Sequence, residues 1–260
     1  VFVDSHCHLD KIDLANFNGE FAAIVEAARA AKVEHMLCIG VTLDDFPAMR
    51  ELVSGYSDIS ISCGVHPLYV AKHPLAKQQL KEWAALPEVV AIGETGLDYY
   101  YDPESRPVQQ ESFAFHIDLA NELDKPLIIH TRDARDDTIA MLREGHADRC
   151  GGVLHCFTES LEMAQQAIEQ LDFYISISGI ASFRNATELR DVVKALPLER
   201  LLIETDSPWL APVPHRGKEN QPAFVTEVAK CVADVKGVSL AEVAEVTTHN
   251  FYSLFKRVRT

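Results

Sequence analysis

Nowhere in the 260-residue chain do apolar residues run together for the ~18 positions that a membrane-crossing helix needs. The opening VFVDSHCHLD has neither the basic nor the apolar stretch of a secretion signal, so a cytoplasmic protein without membrane association is expected. Cysteine is sparse. Six residues, Cys7, Cys38, Cys63, Cys150, Cys156 and Cys231, are scattered with no C-x-x-C pair, which excludes a dense disulfide framework and points to reduced thiols. Positive charge is scarce as well: 24 Lys and Arg stand against 39 Asp and Glu, a net charge of −15. Such a chain repels polyanions at long range and cannot coat a duplex with cations, so any nucleic-acid contact must be local. Also missing are a G-x-S-x-G nucleophile elbow, internal repeats and low-complexity tracts.

What remains is an ordinary globular composition, with 47% hydrophobic and 24% charged residues, able to bury a core without disulfides. We read residues 1–260 as a single domain. Short apolar runs bounded by turn residues predict strands at Val1–Asp4, His35–Val41, Ile59–Val65, Val89–Gly93, Leu127–His130, Gly152–His155, Phe173–Ser178 and Leu201–Glu204. Helical patterns follow them at Glu20–Lys32, Leu43–Ser54, Pro74–Ala85, Glu104–Leu123, Asp133–Glu144, Glu159–Gln170, Asn185–Leu196 and Gln221–Lys236. Thr42 and Thr158 are placed to cap two of the helices. Strict alternation demands parallel strands, in an open doubly wound sheet or a closed barrel. The open sheet calls for a Gly-rich loop after the first strand, where this chain has Ser5-His6-Cys7-His8. The expectation is therefore an α/β fold, a (β/α)8 TIM barrel, closed by a short helical segment at Ser239–Arg259 that docks through Phe251, Leu254 and Phe255.

Barrel enzymes draw their chemistry from the C-terminal ends of strands. Here His6 and His8 follow the first strand, His66 the third and Glu94 the fourth; His130 and His155 end the fifth and sixth, and Asp206 follows the eighth. Because strand residues alternate faces, His6 and His8 point together into the lumen and Cys7 points outward. A lone H-x-H is as readily an incidental polar loop; the repetition at successive strand ends favours metal binding. Imidazoles and carboxylates suit zinc, magnesium, manganese, nickel or cobalt, and six inward ligands exceed one tetrahedral site. Two divalent ions bridged by Glu94 fit better, an arrangement used for hydrolysis.

DSHCHLD at Asp4–Asp10, GVHP at Gly64–Pro67, GETGLDYY at Gly93–Tyr100, IHTRDA at Ile129–Ala134, LHCF at Leu154–Phe157, ETDSPWLAP at Glu204–Pro212 and RGKENQP at Arg216–Pro222 carry a whole-chain resemblance. The chain resembles the TatD-type metal-dependent deoxyribonucleases of the amidohydrolase superfamily. The resemblance implies that His6, His8 and Asp206 hold one metal, that His130 and His155 hold the other, and that Glu94 bridges them without a carboxylated lysine. It further implies a hydrolase that cleaves DNA phosphodiester bonds from a strand end, on single-stranded or terminal DNA, with water activated at the metals.

Further roles have plain structural alternatives. Asp206 is the candidate general base, or only a ligand. His66 is a candidate to grip phosphate or protonate a leaving group, against a hydrogen-bonded loop histidine. Asp4 and Glu204, two residues before His6 and Asp206, are expected to face the same way and orient those ligands, or to be buried acids paired elsewhere. Arg132, Arg216 and Lys218 are candidate substrate cations, against solvated surface residues. Asp98 and Tyr99–Tyr101 are expected to line the mouth, and Cys156 to point away from the lumen. Two rival functions stand beside the nuclease: an amidohydrolase acting on a small amide, cyclic imide or phosphoester, and a non-catalytic metal- or nucleic-acid-binding barrel.

Overall fold

The computed structural model describes residues 1–258; Arg259, the end of the expected closing segment, lies outside them. Eight parallel strands follow chain order around one sheet: β1 (Phe2–Cys7), β2 (Val33–Cys38), β3 (Ile59–Cys63), β4 (Val89–Asp98), β5 (Leu127–Arg132), β6 (Gly152–Leu154), β7 (Tyr174–Ile177) and β8 (Leu201–Ile203). The expected TIM barrel is what forms. Its seam is drawn together around the C-terminal end of β1 and just past that of β8, where Asp206 N donates to His6 O (2.9 Å) and His8 N donates to Ser207 O (2.8 Å).

Helices α1 (Phe21–Ala30), α2 (Phe46–Val53), α3 (Lys77–Ala84), α4 (Arg106–Leu123), α5 (Arg135–Glu144), α6 (Leu161–Leu171), α7 (Thr187–Ala195) and α8 (Val225–Lys236) each follow a strand. They bury one face, such as Ile24, Val25 and Ala28 of α1, against the outward strand residues. Thr42 Oγ1 accepts from Asp45 N (3.1 Å) in the turn leading to α2, whereas α6 is capped by Ser160, which accepts from Met163 N, and not by Thr158.

Five strands differ from expectation by more than a residue at an end: β2 lies at Val33–Cys38 rather than His35–Val41, β3 stops at Cys63, β5 continues to Arg132, and the other two, β1 and β4, bear on the site. β1 runs on to Cys7 and β4 to Asp98, so His6 and Glu94 lie within strands. Each of these two carries a register shift, between Asp4 and Cys7 and between Ile92 and Thr95, where three residues on one strand span two on its neighbour. An extra residue kinks the strand and re-aims its side chains, and both shifts fall at candidate ligands. Gly96, at φ +136°, lets β4 lie against β5: a Cβ there would sit 1.9 Å from His130 O.

The closing helical segment forms within the expected Ser239–Arg259. It is a 15-residue helix, α9 (Leu240–Leu254), capped by Ser239, which accepts from Glu242 N. Its Phe251 and Phe255 pack with Val3, Leu37, Val90, Ile128, Val153 and Leu202, a separate apolar cluster to which most strands contribute. That cluster fills the end of the barrel where the strands begin and leaves the polar residues gathered at the other.

Candidate metal centre

Glu94 stands at the middle of the polar end, 2% exposed. Its two oxygens face different partners. Oε2 lies 3.5 Å from His6 Nε2 and 3.9 Å from His8 Nε2; Oε1 lies 2.8 Å from His155 Nε2, 3.4 Å from His130 Nδ1 and 3.2 Å from His66 Nε2. Asp206 joins the first group, with Oδ1 3.3 Å from His8 Nε2 and 3.5 Å from His6 Nε2. It adopts φ 57°, a left-handed conformation that Asp tolerates better than most residues and that turns the chain sharply after β8.

The imidazoles are oriented from behind. His130 Nε2 donates to Asp98 Oδ2 (2.8 Å), and His155 Nδ1 donates to Glu204 Oε1 (3.2 Å). Each bond fixes its ring and directs the other nitrogen at Glu94, where loss of that nitrogen's proton would leave a lone pair for a cation. Glu204 orients His155 rather than Asp206. Asp4 touches no imidazole: the shift after it turns its carboxylate to Thr205 N (2.9 Å) and Thr205 Oγ1 (2.6 Å), with a long bond from His6 N (3.4 Å). It therefore braces the seam between β1 and the segment carrying Asp206, and burial pushes its carboxyl up to about 8 despite the Thr205 donors.

Burial would raise the Glu94 carboxyl, but His155 and His66 outweigh it and hold the group well below the usual carboxylate range. Burial lowers His155, yet Glu94 and Glu204 lift it well above an ordinary histidine. Burial lowers His6, helped by His155, whose ring stacks on it at 3.8 Å.

The donor set fits divalent cations. His6 Nε2 and His8 Nε2 stand 3.2 Å apart, and two nitrogens on one tetrahedral ion at about 2.0–2.1 Å lie roughly 3.4 Å from each other. Buried polar atoms are costly without partners, yet Glu204 Oε2 finds none among the described residues. Residues whose donor atoms converge include His6 with His8 and Asp206, His6 with His155 and Glu204, and His66 with Glu94 and His130.

His8, His66, Glu94, His130, His155 and Asp206 line a cavity of about 340 Å³, with Arg132 and Trp209 at its rim. Arg216 and Lys218 do not line it; the Arg216 guanidinium lies 3.6 Å over the Phe183 ring instead. Cys156, contrary to expectation, does line the cavity, because its φ of 43° turns the chain just after His155. Asp98, expected at the mouth, is fully buried.

The model described as "TatD related DNase" matches residues 3–256. The chain belongs to the TatD family. It is 53% identical over 253 residues to the "Uncharacterized metal-dependent hydrolase YcfH" of Escherichia coli strain K12, covering 97% of this chain and 95% of that one. It is 34% identical to the "3'-5' ssDNA/RNA exonuclease TatD" of Klebsiella pneumoniae strain 342, covering 93% and 94%. The crystal structure of YJJV, a TatD homolog from Escherichia coli K12, superposes with a TM-score of 0.90 at 30% identity over 98% of both chains. This TatD-family protein is accordingly a metal-dependent hydrolase, which sets aside the non-catalytic barrel. No helix among the described residues is long and apolar enough to cross a membrane.

Sequence reasoning placed Asp98 only at the mouth and passed over Asn220 and Trp209. Asp98 holds His130 through its second oxygen while its first accepts from Tyr100 N and Tyr101 N. Asn220, fully buried, donates to Thr205 O (2.8 Å) and Trp209 O (2.6 Å) and so pins the loop carrying Asp206. Trp209, half exposed, meets the His8 ring edge-on at 5.1 Å. The motifs DYY, RGKENQP and SPWLAP contain all three, and a buried polar role for Asp98 and Asn220 was the signal available.

Proposed function

We propose that the protein is a two-metal deoxyribonuclease, cleaving phosphodiester bonds from the end of single-stranded or frayed DNA. The observation that carries this reading is the division of Glu94, with one oxygen toward His6 and His8 and the other toward His130 and His155. His6, His8 and Asp206 would hold one divalent ion and His130 and His155 the other, with Glu94 shared; zinc, magnesium, manganese, nickel and cobalt all suit these donors. Bound there, the ions would supply Lewis-acid charge that polarises a phosphoryl oxygen and acidifies water.

The chain's own groups do the rest. Asp206, beside His8 at the rim, accepts the proton of the attacking water at its carboxylate. His66 Nδ1 accepts from Leu68 N (3.1 Å), so its neutral ring carries the proton on Nε2, directed to Glu94 and the cavity. That N–H is the group available to a phosphoryl or leaving oxygen. Arg132 on the rim supplies fixed positive charge in an otherwise acidic protein. The nucleic-acid substrate is supported by the family's DNase description and by the exonuclease name of the Klebsiella relative.

The test is metal analysis of the purified protein, then incubation with single- and double-stranded DNA, with and without chelator, beside Asp206→Asn. Chelator-sensitive loss of DNA, abolished by Asp206→Asn, is the expected result. Equal cleavage by both proteins would remove Asp206 from the mechanism. Hydrolysis of small amides or cyclic imides with no action on oligonucleotides would replace the nuclease by an amidohydrolase.

A further inference from the structure

Beside the metal cavity lies a larger groove, about 1120 Å³, which shares Arg132, Thr158 and Ile180 with it. Tyr100 lines it and Tyr101 stands beside Tyr100; the two rings are 60% and 62% accessible and meet at 89° with centroids 4.9 Å apart. The Arg132 guanidinium covers both, 4.4 Å and 4.8 Å from their centroids. Neighbouring charges are largely spoken for. Asp137 is bonded to Arg106 and Tyr99, and Glu159 to Arg135. Arg132 makes no ion pair among the described residues. A guanidinium that rests against aromatic rings and makes no ion pair keeps N–H donors for a phosphate.

We infer that Arg132 and the Tyr100–Tyr101 corner form a subsite for the nucleotide adjoining the one at the metal centre, with its phosphate on Arg132 and its unpaired base on the tyrosine rings. The inference rests on the nuclease reading. Two features favour a base over a second phosphate. Exposed aromatic faces take any unpaired base, and Asp133 and Asp136 in the same groove would oppose a row of phosphates. A base paired within a duplex offers no open face, so the subsite selects single strands. The subsite is also fixed to the chemistry: the Asp98 carboxylate that holds His130 accepts from Tyr100 N (3.1 Å) and Tyr101 N (2.9 Å).

The experiment measures binding of 5′-fluorescein-labelled oligothymidylates of two, four and eight nucleotides to the chelator-treated protein by anisotropy across a salt series. In parallel, kcat/KM of the metal-loaded enzyme is measured on the octamer and on bis(p-nitrophenyl) phosphate. Affinity of the wild type should rise with length. Tyr100→Ala/Tyr101→Ala should weaken octamer binding about tenfold and lower the ratio of octamer to small-diester kcat/KM by a similar factor, while Tyr100→Phe/Tyr101→Phe retains both. Arg132→Ala should reduce the salt slope by about 0.7, the loss of one single-strand phosphate contact. If the wild type cleaves the octamer and the double alanine variant binds it within twofold of wild type, the subsite is wrong and the nuclease stands. If the wild type neither binds nor cleaves any oligonucleotide, both fall.

Discussion

His130 Nε2 donates to Asp98 Oδ2 at 2.8 Å, across 32 residues of chain, and this bond decides which nitrogen of His130 faces Glu94. The other Asp98 oxygen is already committed to Tyr100 N and Tyr101 N. In Asp98→Asn the amide oxygen keeps those two donors, so the NH2 group meets His130 Nε2 and pushes the ring proton to Nδ1, removing the lone pair from the centre. Metal affinity should fall about 10- to 100-fold, as removal of an orienting partner does elsewhere. Competition against a fluorescent chelator measures it. Unchanged affinity would mean that Asp98 serves only the tyrosine loop.

Asn220 acts on the opposite side. Its amide donates to Thr205 O and Trp209 O, on either side of Asp206. Asn220→Ala leaves the buried Thr205 carbonyl and the part-buried Trp209 carbonyl unpaired, at about 1–3 kcal/mol, and frees the loop to drift. We expect kcat to drop at least tenfold and the thermal midpoint to fall by a few degrees. Loss of stability with full turnover in the remaining folded protein would assign Asn220 to folding alone.

Much of this site is legible in the sequence because its residues break apolar runs. His130 interrupts Leu127–Ile129, and His6 and His8 flank a buried cysteine, so an imidazole at a strand end stands out. The alternation of faces predicted His6, Cys7 and His8 as they lie, with Cys7 Sγ on Leu37 O outside the lumen. It failed for Asp4, because alternation presumes an unbroken register and β1 shifts between Asp4 and Cys7. Strand ends at Glu94 were misjudged for the same reason, since β4 continues past its own shift to Asp98. Asp98 and Asn220 were hidden differently. The bonds that tie them to the site, Asp98 to the His130 ring on the neighbouring strand and Asn220 to Thr205 O and Trp209 O, join residues 32, 15 and 11 positions apart, and no local pattern records that.

His116 supplies a pH dependence remote from the metal ligands. It is fully buried in α4, with Nε2 accepting from Val65 N (3.0 Å) and Nδ1 donating to Ser112 O (2.7 Å). Burial lowers it from 6.5 to about 4, in spite of the Ser112 bond. Below pH ~6.5 the unfolded chain takes up a proton that the folded chain refuses, so stability present above that pH is lost progressively as pH falls toward 4. Between pH 6.5 and 5 the loss at this one site is about 2 kcal/mol. His116→Gln keeps an acceptor near Val65 N and does not titrate. Urea unfolding of chelator-treated protein at pH 7.5 and 5.0 should show wild type losing about 2 kcal/mol more than the variant; equal losses would place the acid sensitivity elsewhere.

Phe251 separates the stability of the barrel from its chemistry. Its ring is fully buried at the end opposite the cavity, 4.8 Å from Phe255 and 5.7 Å from His35, among Val3, Leu37, Val90 and Ile128. Phe251→Ala removes that packing and leaves a cavity that rigid strands cannot close, a change that costs about 3–5 kcal/mol. No candidate ligand touches this cluster, and the seam bonds from Asp206 to His6 and from His8 to Ser207 lie beyond it. The variant should therefore unfold at markedly lower urea while binding metal, at temperatures where it stays folded, within a few-fold of wild type. A drop in metal affinity as large as that of Asp98→Asn would show that α9 tensions the strands on which the ligands sit.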